Sequence, residues 1–124
     1  MGVIYVDATV RNPADRSRSW QGHFLVDTGA THTVVPRRHL EFIGLQPEGI
    51  RTFQLADGTE VAMDLAPARL ELMGEFASLD VVYGDDDAEP LLGVIALESA
   101  GFEVDPVHRQ LRKSRVLPLK EACA

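Results

Sequence analysis

The chain has 124 residues, 45% hydrophobic and 25% charged, which allows one buried core and not two. Its formal net charge of −7 argues against a nucleic-acid partner, since phosphate backbones are bound through clustered Lys and Arg. The single cysteine, Cys123, leaves no internal disulfide, and no apolar run approaches the ~18 residues that suggest a membrane span.

The opening stretch, MGVIYVDATV, has no Lys or Arg before its apolar residues and meets Asp7 early, so it does not read as a signal peptide. A soluble cytoplasmic protein is the expectation. Residues 3–10 are rich in β-branched side chains and predict a strand; Asn12-Pro13-Ala14-Asp15 predicts a loop. Residues 20–26 predict a second strand, crowded with apolar residues at its end as a strand buried on both faces would be. Asp27 follows at once, where its neighbours favour burial; a structural carboxylate there must find donors or stay protonated. Gly29, two residues on, is available for an unusual backbone conformation.

Thr33-Val34-Val35 predicts a short strand, and Pro36 suits the start of a helix over 37–43 with Gly44 just past its end. Asp57-Gly58 between two strand-like arms predicts a hairpin over 51–63. Residues 68–72 and 79–83 alternate as half-buried strands do, and Asp85-Asp86-Asp87 predicts an acidic loop. Leu91-Leu92-Gly93 leads into a short helix over 94–100 closed by Gly101. Residues 102–105, a turn opened by Pro106, and residues 110–117 predict a closing hairpin. Eight or nine strands with one or two short helices make an all-β chain, a small closed or rolled structure.

Few residues invite chemistry. Asp27 either caps its own turn, as Asp often does, or is catalytic. His32 and His39 fit no common zinc spacing, and His23 reads as an edge-facing or hydrogen-bonded side chain. Asp85 to Asp87 lack the EF-hand pattern and read as a solvated loop. The basic cluster Arg109, Arg112, Lys113 and Arg115 reads as a solvated face or terminal strand. No metal site and no organic cofactor are expected.

Three blocks, FLVDTGATHTVVP, QLADGTEV and PLLGVIALESAGFEVDP, together resemble the retropepsin-like aspartic proteases, the single-domain class that includes the retroviral enzymes. The resemblance runs from about residue 3 to 117. It implies an all-β, closed or rolled β-barrel of the acid-protease type with one or two short helices, as one domain over 1–124. The order of the tail after about 117, with Lys120 and Cys123, is left open. By the resemblance, Asp27 is the catalytic aspartate, and Thr28 braces the site by a hydrogen bond to the matching loop of a second copy. Gly29 turns the backbone and, with Ala30, faces the substrate. Ala56, Asp57, Gly58 and Thr59 form the tip of a flap that closes over a bound peptide. Leu92 and Gly93 pack beneath the catalytic turn.

Amide hydrolysis needs a base to activate water and an acid to protonate the leaving nitrogen. Two carboxylates sharing one proton supply both, as is general for aspartic proteases. Two like charges ~3 Å apart at an effective dielectric of ~20 repel by roughly 5.5 kcal/mol, which is why such a pair keeps a proton. This chain has one Asp-Thr-Gly, so the pair requires a C2 homodimer. The expected partners are a peptide or protein substrate and a second copy. Two other readings stay open: a non-catalytic peptide-binding or dimerisation module on the same fold, and a weak monomer that assembles only within a larger complex. Retroviral relatives brace the site with an acidic residue and an Arg. Here those positions are Thr31 and Val94, so bracing has to come from packing or another hydrogen bond, through Thr31 or His32.

Overall fold

The computed structural model describes residues 3–114, which form nine strands and two short helices. The chain opens with β1 (Tyr5–Asn12) and β2 (Asp15–Val26), an antiparallel hairpin with Tyr5 opposite Leu25 and a register shift at Asn12. Only Pro13 and Ala14 form its turn, because the Asn12 side chain satisfies both neighbours: Oδ1 accepts the Ala14 N–H and Nδ2 donates to the Ile43 carbonyl. β2 therefore begins earlier than the apolar pattern indicates and runs through the charged residues 15–18. Its last residues depart from expectation as well. Within 20–26 Phe24 alone is fully buried and Leu25 and Val26 are half-buried, so β2 is covered on one face rather than two.

β3 (Thr33–Pro36) leads directly into α1 (Arg37–Phe42), with Gly44 at φ 84° ending the helix as the sequence pattern requires. β4 (Gly49–Gln54) and β5 (Glu60–Leu72) pair from Gly49 opposite Leu65 to Gln54 opposite Glu60. The arm after Asp57-Gly58 and the alternating stretch 68–72 are one continuous strand, not two. Pro67 hides this in the sequence. It falls between Leu65, where pairing with β4 ends, and Arg69, where pairing with β1 begins, so its missing N–H forfeits no bond to either.

β6 (Glu75–Gly84) returns along β5 through a turn in which Met73 and Gly74 both have positive φ. β7 (Leu91–Leu92) and α2 (Val94–Ala100) follow, and Gly101 at φ 86° closes α2. β8 (Phe102–Asp105) and β9 (Gln110–Lys113) make a separate two-stranded sheet. The last strand was expected to reach 117; residues after 114, with Arg115, Lys120 and Cys123, lie outside the described part.

The main sheet has the order β1-β2-β7-β3-β6-β5-β4. β5 also pairs with β1, Thr9 opposite Glu71 and Arg11 opposite Arg69, which closes six strands into a ring and leaves β4 hanging from β5. Val10, Phe24, Val35, Leu40, Leu70, Val81 and Leu92 fill the ring with no exposed surface. Each such side chain contributes about 1.5–3 kcal/mol by leaving water. At the closing seam Glu71 accepts from Arg11 Nη2 at 2.9 Å and from Arg69 Nε at 2.7 Å, which holds its carboxyl down at a pKa of about 2.

Candidate active site

β2 delivers Asp27 to the rim of the ring. β7 lies parallel to the end of β2, with Val26 opposite Leu92, and the Asp27 N–H extends this ladder by donating to the Leu92 carbonyl at 3.0 Å. The chain then turns, with the Ala30 N–H on the Asp27 carbonyl at 3.1 Å and the Gly29 N–H on Asp27 Oδ1 at 2.9 Å. That is the only hydrogen bond to the carboxyl among the described residues. Asp27 is half-buried, and Thr28 and Gly29 are exposed. Gly29 does not have a positive φ, which corrects the expectation of an unusual backbone there. A Cβ at Gly29 would come to 3.2 Å from Asp27 Oδ1, so the small residue keeps the carboxylate reachable.

The loop after the turn is clamped from the other side of the chain. Three consecutive N–H groups at the start of α2 point at it: Gly93 donates to the Thr33 hydroxyl at 3.2 Å, Val94 to the Ala30 carbonyl at 2.8 Å and Ile95 to the Thr31 carbonyl at 3.2 Å. These are orphan donors of a helix start, satisfied here by the candidate loop. With no charged pair at positions 31 and 94, the loop is held by hydrogen bonds, two to main-chain carbonyls and one to the Thr33 hydroxyl. Thr31 takes part through its carbonyl only, while His32 does not share in the clamp with its ring. Gly93 sits so close that a Cβ would reach 2.6 Å from atoms of Thr31 and His32. Leu92 and Gly93 are both buried beneath the turn.

The β4–β5 hairpin is bonded within itself. Its tip is built locally: Leu55 N–H donates to the Thr59 carbonyl at 2.7 Å, Gly58 at φ 88° donates to Leu55, and Thr59 N–H donates to Asp57 Oδ1 at 2.9 Å. That last bond lowers the pKa of the Asp57 carboxyl. Ala56, Asp57, Gly58 and Thr59 are all exposed, and among the described residues no hydrogen bond joins them to the Asp27 cluster. The structure brings Asp27, Thr28, Gly29, Ala30, Leu92 and Gly93 together, and the tip is not joined to them by hydrogen bonds among the described residues. Two side-chain links from body to hairpin are the His32 ring, in a T-shaped pair with Phe53 at 5.1 Å between centroids, and Arg37, whose Nη2 donates to Asp64 at 2.6 Å.

The other candidates find ordinary partners. His23 Nδ1 lies 2.9 Å from Asp7 and its ring stacks on Tyr5. His39 stacks on Trp20 at 4.1 Å, and burial lowers its pKa. Asp86 receives the Arg38 N–H at 3.0 Å, so the acidic loop is tied to α1. Arg112 pairs with Glu103 at 3.3 Å and Lys113 with Glu75 at 2.5 Å. Among the described residues no three His, Cys, Asp or Glu side chains form a metal-holding group, and no helix is long and apolar enough to cross a membrane.

Two apolar grooves flank the exposed Thr28. One, about 570 Å³, is lined by Val94, Leu97, Phe102 and Val104 together with Glu98 and Glu103; the other, about 500 Å³, by Ile4, Val26, Val104 and Pro106 together with Arg109. The sequence reading did not single out Thr33, His32–Phe53 or Arg37–Asp64. Thr33 carried a signal, being a hydroxyl within an otherwise apolar strand, where burial demands a partner. The other two depend on distant segments meeting and have no local signature.

The family model described as "gag-polyprotein putative aspartyl protease" matches residues 19–99. This span holds most of β2, the Asp27 turn, the β4–β5 hairpin and nearly all of α2. Among solved structures the fold is similar to the solution structure of Simian Foamy Virus (mac) protease, with a TM-score of 0.55 and 19% identity over 76% of this chain and 91% of that one. No curated protein matches the sequence.

Proposed function

The chain belongs to the gag-polyprotein aspartyl protease family, and on that premise we propose that it is an aspartic endopeptidase whose Asp27 carboxyls, one from each of two copies, share a proton. In this mechanism the ionised carboxyl takes a proton from a water held between the two, and the water oxygen attacks the peptide carbonyl carbon. The protonated carboxyl gives its proton to the departing nitrogen as the C–N bond breaks. No metal or organic cofactor enters.

The observation that carries this reading is the setting of Asp27. Its main chain is fixed to Leu92 and one oxygen to Gly29, and the loop beyond is pinned by the start of α2. The carboxyl is rigid without being consumed by a protein partner, which preorganised acid–base chemistry needs. A carboxyl that merely capped its turn would not call for that clamp.

Thr28 supports the second copy. It is exposed at the rim, between two apolar grooves, where a symmetry axis would let it meet its own counterpart. An extended peptide would lie between the Asp27 turns and the hairpin tips, held through its backbone by Gly29, Ala30 and residues 56–59.

The test is cleavage of a denatured protein at pH 4–7 by the wild type and by Asp27→Asn. Cleavage lost in the variant supports the reading. Equal inertness, with no binding of a statine-type transition-state mimic, favours the non-catalytic module instead.

A further inference from the structure

We propose that His32 is a positioning residue: its ring is the rest on which the β4–β5 hairpin sits when it closes towards Asp27. Every residue from 51 to 60 is exposed except Phe53, which is half-buried. His32 meets it in a T-shaped ring pair with an interplanar angle of 74°. β5 pairs with β6 only from Leu65 onward, so in residues 50–64 the two arms of the hairpin pair only with each other, and strand pairing holds the hairpin at its base and not near its tip.

The two ends of this contact differ in mobility by construction. Gly93 lies close enough to the His32 carbonyl that no Cβ would fit there, and the flanking Thr31 carbonyl and Thr33 hydroxyl take N–H groups from Ile95 and Gly93. His32 therefore projects from the best-braced part of the candidate site. Phe53 lies on a free arm, near the tip. Lower down the hairpin, Arg37 grips Asp64. The arrangement is a pivot at Arg37–Asp64 with a latch at His32–Phe53. One edge-on aromatic pair shifts a closed-to-open ratio by about two- to ten-fold, enough to bias closure without preventing opening.

The inference rests on the hairpin acting as a flap over a peptide, but the latch can be read without turnover. A nitroxide at Glu60→Cys, in a Cys123→Ser background, reports hairpin motion by its EPR line shape. His32→Ala and Phe53→Leu should each give a faster-moving label, and His32→Phe, which keeps an edge-on ring, should restore the wild-type spectrum. If His32→Ala fails to fold, Phe53→Leu reads the same contact from the other side. On a fluorogenic peptide taken from a cut site, His32→Ala should raise KM about two- to ten-fold, following the loss of the closed state, with kcat changed by less than about two-fold. Unchanged label motion in both variants overturns the latch, and so does a KM that stays put while the label loosens. A shifted label in a protein that cleaves nothing supports the latch and counts against the protease reading instead.

Discussion

The Thr33 hydroxyl accepts the Gly93 N–H at 3.2 Å inside a wholly buried site, joining the strand that follows the Asp27 turn to the residue that opens α2. With Asp27 N–H on Leu92 beside it, both ends of the 27–33 loop are fastened to one short segment. The consequence is that bracing needs no buried ion pair, whose partners each carry a desolvation penalty.

Thr33→Val keeps the shape of the side chain and removes the acceptor. The Gly93 N–H is then buried without a partner, which costs about 1–3 kcal/mol. Thr33→Ser keeps the oxygen and should cost less. Urea denaturation of the three proteins checks this; a valine variant as stable as wild type would show that the bond contributes nothing.

Gly93→Ala tests close approach rather than conformation. Gly93 has φ −90°, which any residue adopts, so the penalty comes from the new Cβ meeting the main chain of Thr31 and His32 at 2.6 Å. Backbone cannot rotate away, and overpacking of this kind costs about 1–3 kcal/mol or more. Gly58→Ala is the contrast: φ is 88° but nothing lies within 4 Å, so only local strain of about 1 kcal/mol is expected. Stability and peptide cleavage should both fall in Gly93→Ala. In Gly58→Ala the loss of stability should be the smaller. Equal destabilisation of the two would contradict the steric account.

What the sequence made legible follows the range of the interaction. Asp57-Gly58, Pro36 with Gly44, and Gly101 each announce a local backbone event, and each element they punctuate is present. The Asp27 turn was legible because an acidic residue ends an apolar run. The continuity of β5 through Pro67 is not legible locally, because it depends on Pro67 falling between the stretch paired with β4 and the stretch paired with β1. The charged start of β2, residues 15–18, lies outside the apolar pattern and is held by Arg11 donating to the Arg16 carbonyl and Arg18 to the Phe42 carbonyl. His32–Phe53 and the Arg11–Glu71–Arg69 seam join residues whose proximity exists only after the ring closes.

That seam gives the fold an acid limit. Glu71 ionises at about 2 in the folded chain against 4.5 as a free model carboxyl, through its hydrogen bonds to Arg11 and then Arg69. A lowered folded pKa means the stabilisation is complete above about 4.5 and disappears as pH falls towards about 2. The full shift corresponds to about 3 kcal/mol, and screening at a side chain 28% exposed reduces this to roughly 1–2 kcal/mol. Asp105, whose pKa is lowered first by its hydrogen bond with His108, adds a smaller loss of the same sign. Glu71→Gln should be less stable than wild type at pH 7 and nearly equal to it near pH 2. Thermal unfolding across that range measures the gap; a gap independent of pH would remove the seam's electrostatic role.

Subunit mixing addresses the shared carboxyl pair most directly. If each active centre takes one Asp27 from each copy, a dimer of wild type with Asp27→Asn holds a single carboxyl and cannot supply both base and acid. General acid–base catalysis is worth about 10²–10⁴-fold, so the mixed dimer should be silent by comparison. Adding an equal amount of Asp27→Asn to a fixed amount of wild type, and letting subunits exchange at random, converts about half of the wild-type chains into mixed dimers. Activity should then fall to roughly half. The wild-type pH–rate curve should be bell-shaped, because both limbs come from losing the singly protonated pair. Added variant that leaves the rate untouched, or a profile flat from about pH 3 to 8, would mean that each chain acts alone and that the two carboxyls never meet.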